Sequence, residues 1–189
     1  MADRARLIAV ARGDAEPDLV IAGARVFGAF TREWLDVDVA VAEGRVASLA
    51  PRGAFTGGER LDGAGQYLVP GYIDAHVHLE SSKLMVDEFA RAVLAHGTTA
   101  VVSDPHEIAN VLGTDGVHWL LDVCETLPLE VFVMASSCIP ASPFESPRRP
   151  FTPGDMASIL RRSHALGVAP TGTVDGRGEG PRTRLGTML

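Results

Sequence analysis

The 189-residue chain is 46% apolar and 22% charged, the balance of a folded globular protein and not of a disordered or membrane-spanning one. Its net charge of -7 is spread along the chain, and RRSH at 161–164 is too short for a basic patch, so nucleic acid is not an expected partner. The N-terminal apolar run, Leu7 to Ala11, is too short for a signal-peptide core or a spanning helix, which points to the cytoplasm and to no membrane partner.

After a short helical lead-in, residues 18–27 (DLVIAGARVF) and 35–51 alternate apolar and other side chains, the period of a strand. Val37, Val39 and Val41 share one face, and Glu43-Gly44 falls where a hairpin turn would lead into residues 45–49. Residues 1–67 therefore read as a small antiparallel β domain with a short N-terminal helix.

From residue 68 short apolar strands alternate with helical periodicities, the pattern of βα units around a parallel sheet. LVPGYIDAHVH (68–78) is the first strand. MVDEFARAVLAHG (85–97) follows as a helix, with Val86, Phe89, Ala90, Val93 and Leu94 in one stripe and Gly97 placed to end it. TTAVVSD (98–104) is the second strand. A helix begins near Thr114, with Val117, Leu120, Leu121 and Cys124 at helical spacing, and LEVFVMASSC (129–138) is the third strand. The third helix starts at Thr152-Pro153-Gly154-Asp155 and is expected to reach about Leu166. The βα pattern then demands a fourth strand, yet residues 167–189 are rich in Gly, Thr, Arg and Pro and show none.

Chemistry concentrates where these strands end. Along a strand, side chains alternate faces, so Asp74, His76 and His78 share one side, joined by Glu80 if the strand persists. Two neutral imidazoles so placed form a divalent-metal pair, and a carboxylate can add a ligand or orient a ring from behind, the role expected of Asp74. By itself His-x-His also fits one buried and one exposed histidine. Its place at the carboxyl edge of a βα strand, where such folds carry active sites, favours the metal. SDPHEIANV (103–111) brings Asp104, His106 and Glu107 to the same edge, with Asp104 as a cap and His106 as an ordinary loop residue the alternative. His96 and His164 fall in the last turns of helices and His118 lies beside an apolar stripe, which suits structural roles. Ser136, Ser137 and Cys138 lack a neighbouring base in sequence, and the two cysteines, Cys124 and Cys138, read as packed thiols.

VPGYIDAHVHLESS, SDPHEIANVLG and SSCIPASPFE, in that order and spacing, resemble the prokaryotic adenine deaminases of the amidohydrolase superfamily, over residues 18 to about 166. The resemblance implies an α/β protein: a small β domain beside the first three βα units (68–166) of a (β/α)8 barrel. It also implies a dinuclear manganese or iron centre, conversion of adenine to hypoxanthine and ammonia, and a homo-oligomer when the fold is complete. His76 and His78 match the first-strand metal ligands. Glu80, Asp104, His106 and Glu107 match positions expected near the metal or the purine as catalytic residues, their individual roles open. The Pro-Cys-x-x-Cys element of cytidine-deaminase zinc sites is absent from the sequence.

Family members carry a metal-bridging Glu at the fourth strand, later histidines and an Asp near the last strand, and none can be placed in this chain. A full barrel takes about 250 residues. The expectation is thus an N-terminal part of such an enzyme, inactive by itself, with residues 167–189 an atypical tail from a frameshift or a truncated gene. The alternatives are another amidohydrolase acting on a cyclic amide, or a non-catalytic product.

Overall fold

The computed structural model describes residues 3–137, 139–140 and 144–169, which fall into two compact units on either side of the Pro70/Gly71 junction. In the first, helix α1 (Arg4–Arg12) precedes seven strands: β1 (Leu19–Ala22), β2 (Arg25–Gly28), β3 (Glu33–Leu35), β4 (Val37–Ala42), β5 (Arg45–Pro51), β6 (Glu59–Asp62) and β7 (Tyr67–Leu68). The 18–27 run is two strands in different sheets, because Gly23 at φ +80° turns the chain between them. One sheet has the order β5-β4-β1-β6 and the other β3-β2-β7. Their hairpin pairs are antiparallel, and each adds one parallel pair, β1 with β6 and β2 with β7. Glu43 and Gly44, at φ +52° and +67°, form the two-residue turn joining β4 to β5. Val10, Val20, Ala40, Ala42 and Phe55 make the core of this unit.

The second unit is built on βα repeats. Its elements are β8 (Tyr72–Val77), a 3-10 turn (Leu79–Ser82), α2 (Val86–Leu94), β9 (Thr98–Ser103), α3 (His106–Leu112), α4 (Thr114–Cys124), β10 (Glu130–Ala135), α5 (Pro153–Leu160) and β11 (Ala165–Val168). All pairings are parallel and the order is β11-β10-β9-β8. Val101, Val131, Phe89 and Leu120 meet in one core cluster and Val117, Leu121, Val133 and Ile159 in another, so the stripes read from the sequence are the faces that close on the sheet. Among the described residues no helix is long and apolar enough to cross a membrane.

Two boundaries differ from the sequence reading. Helix α5 ends at Leu160, and a fourth strand, β11, begins at Ala165. The backbone there is captured by β10: Val133 N–H donates to the His164 carbonyl and Ala169 N–H to that of Ala135. The remainder of the 167–189 tail, from residue 170, lies outside the described residues.

Helix α5 opens on a capping box, with Thr152 and Asp155 exchanging side-chain and main-chain bonds and Arg149 donating to Asp155 at 2.6 Å. Thr152→Ala is expected to cost about 1 kcal/mol in a urea melt. The Arg149 guanidinium holds the Asp155 carboxyl well below its ordinary 3.8, with Thr152 adding to this and burial opposing it. A depressed carboxyl stabilises the fold fully above its unfolded value and progressively less as pH falls through the folded one. The wild-type melting temperature should therefore drop below about pH 4, whereas Asp155→Asn starts lower at pH 7 and falls less steeply.

Candidate metal and catalytic site

Gly71 begins the segment. A Cβ there would overlap Thr99 Oγ1 and lie 2.8 Å from Thr99 Cβ, so only glycine lets the chain enter β8 this close to β9. Asp74 and His76 lie on β8, and His78 stands between the strand and the 3-10 turn. The strand stops at Val77 because Leu79, 2% exposed, turns into the core. Glu80 consequently does not continue the histidine face. It sits on the turn, where its Oε1 accepts the Ile108 N–H at 3.1 Å.

His76 and His78 meet, Nε2 to Nε2 at 3.1 Å, with ring centroids 4.9 Å apart. His78 Nδ1 lies 2.7 Å from the main-chain oxygen of Asp104. A carbonyl oxygen can only accept, so Nδ1 carries the hydrogen and the neutral ring keeps its lone pair on Nε2. Asp74 Oδ1 accepts the main-chain N–H of His76 at 3.1 Å, where the register of β8 on β9 shifts. It braces the backbone under the first ligand candidate, and no ring nitrogen bonds to it among the described residues.

The second cluster follows β9. The Asp104 carboxylate, in a residue only 9% exposed, accepts the hydroxyl of Ser136 from the end of β10. His106 opens α3 and sets its ring against His78, centroids 4.6 Å apart. Glu107 Oε1 accepts the Ser81 hydroxyl at 2.6 Å, so two bonds, Ser81 to Glu107 and Ile108 to Glu80, fasten the 3-10 turn to α3. The other oxygens of these acids, Glu80 Oε2 and Glu107 Oε2, are buried and have no hydrogen-bond partner among the described residues. Burial pushes the Glu80 carboxyl up, partly offset by main-chain hydrogen bonds.

The remaining candidates separate cleanly. His118 Nε2 reaches Ser158 Oγ at 3.3 Å, joining α4 to α5. His164 is not in a helix: it precedes β11, with its ring 3.5 Å from Glu130. His96 follows α2, its N–H donating to Val93. Cys124 is a buried thiol pushed up to about 12 by burial, which makes it unreactive. Cys138 lies outside the described residues. Ser81 is a contributor that sequence reasoning missed, and Ser136, weighed there only as a nucleophile, serves instead as a hydrogen-bond donor to Asp104. Neither hydroxyl's partner is near it in sequence.

The imidazole pair fits one divalent cation. Two nitrogens at metal distances of about 2.0–2.1 Å in a tetrahedral arrangement stand about 3.3 Å apart, close to the 3.1 Å between these rings. Among the described residues no group of three or more His, Cys, Asp or Glu is gathered to hold a metal, so the pair offers two coordination positions.

The Amidohydrolase family profile matches residues 67–183. The adenine deaminase of Moorella thermoacetica is 48% identical over 158 residues, covering 82% of this chain and 26% of that protein. That of Deinococcus radiodurans is 46% identical over 165 residues, covering 87% and 31%. The chain thus spans between a quarter and a third of the length of these relatives. In fold it is similar to the N-acyl-D-glutamate deacylase of Bordetella bronchiseptica, with TM-score 0.60 and 20% identity over 92% of this chain and 42% of that one. It is also similar to the L-hydantoinase of Arthrobacter aurescens, with TM-score 0.55 and 14% identity over 76% and 37%. With the profile covering more than half of its residues, the chain belongs to the amidohydrolase family.

Proposed function

We propose that this chain supplies the opening part of the active site of an adenine deaminase, which converts adenine and water to hypoxanthine and ammonia. In this reading residues 1–67 are the small domain and 68–166 the first three βα units of the catalytic barrel. The observation that carries it is the meeting of the His76–His78 pair with the Asp104–His106–Glu107 segment at one sheet edge, in a chain 48% identical to a protein of that activity.

His76 and His78 would hold a divalent cation, manganese or iron, in a centre whose further ligands come from outside the described residues. Such a cation lowers the pKa of a bound water towards neutrality. The chain's own residues prepare and surround that event. Asp74 fixes the backbone at His76, and the Asp104 carbonyl keeps His78 in the tautomer whose Nε2 lone pair is free. Glu80, Asp104 and Glu107 are the carboxyl groups at hand to move a proton to the departing amine, and His106 packs its ring against that of His78. The active form is read as a homo-oligomer.

A chimera tests this: residues 1–166 of this chain joined to the rest of the Moorella thermoacetica enzyme, assayed for ammonia release from adenine and from dihydropyrimidines. Turnover of adenine in preference is the expected result. A folded chimera that opens cyclic amides and leaves adenine untouched would replace the deaminase with a cyclic amide hydrolase.

A further inference from the structure

We infer that Ser136, at the end of β10, is a positioning residue for His78, acting through Asp104. Its own hydroxyl touches neither imidazole. Ser136 is 1% exposed and donates to Asp104 Oδ1. Asp104 in turn lies at the β9 terminus, with its N–H donating to the Val77 carbonyl at 3.2 Å and its own carbonyl accepting from His78 Nδ1. One residue thus takes a side-chain bond from β10, makes a main-chain bond to β8 and sets the imidazole tautomer. Just past a strand end, next to Pro105, the Asp104 carbonyl has no ladder partner and is aimed locally, by the His106 N–H that donates to it at 3.0 Å and by whatever fixes the residue's side chain. The bond from Ser136 adds the side-chain restraint, since both residues are buried and a hydrogen bond to a carboxylate is stronger than one to a neutral acceptor.

The chemistry follows from what a tautomer decides. With the Asp104 carbonyl in place, neutral His78 carries its hydrogen on Nδ1 and presents the bare Nε2 towards His76. When the carbonyl swings away, the hydrogen is free to sit on Nε2, and the ring no longer offers a lone pair at the 3.1 Å meeting point. Ser136 therefore governs how much of the chain is ready to receive a cation. This refines the reading of His78 as a ligand, and the tautomer can be measured without any metal.

The test is long-range proton–nitrogen NMR of the His78 ring in the metal-free 189-residue chain, followed by zinc titration. Wild type is expected to show the Nδ1–H form. Ser136→Ala should give a mixture of tautomers and about tenfold weaker zinc binding, whereas Ser136→Thr, which keeps the hydroxyl, should restore both. If the alanine variant fails to fold, Ser136→Thr against Ser136→Val compares hydroxyl with methyl at near-equal volume. A folded Ala or Val variant with the wild-type tautomer overturns the proposal. A tautomer shift in a chain that binds no zinc would keep Ser136 in its role and remove the metal reading instead.

Discussion

Joint replacement of His76 and His78 by alanine is expected to abolish saturable zinc binding by the 189-residue chain, as measured by titration calorimetry, with each single variant losing most of it. The two Nε2 atoms stand 3.1 Å apart, and a chelating pair that loses one arm loses the advantage of having both prearranged. In the chimera the double change should lower kcat/KM about a thousandfold or more, as metal catalysis supplies several kcal/mol and each 1.4 kcal/mol is a factor of ten. Zinc affinity unaltered in the double variant would show that the pair is no ligand.

The second large effect lies in the β unit. Asp38 is 2% exposed, and its two carboxylate oxygens accept the Gly23 N–H at 3.0 Å and the Gly53 N–H at 2.9 Å. Arg60 approaches to 3.9 Å. Asp38→Ala leaves the half-buried Gly23 N–H without its acceptor and hands the exposed Gly53 N–H to water, so a loss of about 1–3 kcal/mol is expected in urea denaturation. Asp38→Asn retains one acceptor oxygen and should recover part of it. A change below about 1 kcal/mol on Asp38→Ala would mean that water replaces the carboxylate without penalty.

The sequence carried the βα order of the second unit well, because the α2 and α4 stripes and the β9 and β10 strands bury where their periods place them. It failed where local pattern and tertiary pairing compete. Leu166 sits at helical spacing from Ile159, which extends the apparent helix, yet the His164 carbonyl bonds to β10 and the chain becomes a strand. ALGV has one β-branched residue in four, too little to announce a strand. Glu80 was to join the histidines only if the strand persisted, and the strand ends for a related reason. Strict alternation puts Glu80 beside the histidines, and only the burial of Leu79 reveals the turn. The histidine pair was legible from its spacing, since one intervening residue is a local relation. The Ser136–Asp104 and Ser81–Glu107 bonds join residues 32 and 26 apart, and no local pattern reports such pairs.

Among the described residues, the strand that carries Asp74 and His76 stands at one border of its sheet, with Tyr72 61% and Ile73 68% exposed. A border strand is held by a single ladder, so it frays at lower free energy than β9 or β10 behind it. Ligand capture and the annealing of β8 onto β9 then become one linked equilibrium, in which a cation gripped between residues 76 and 78 also selects the annealed strand. Affinity at such a site reports the integrity of the β8–β9 seam as much as the basicity of two imidazoles. A substitution that loosens the seam, for example a side chain at Gly71 pressing on Thr99, would weaken capture from a distance without touching either ring.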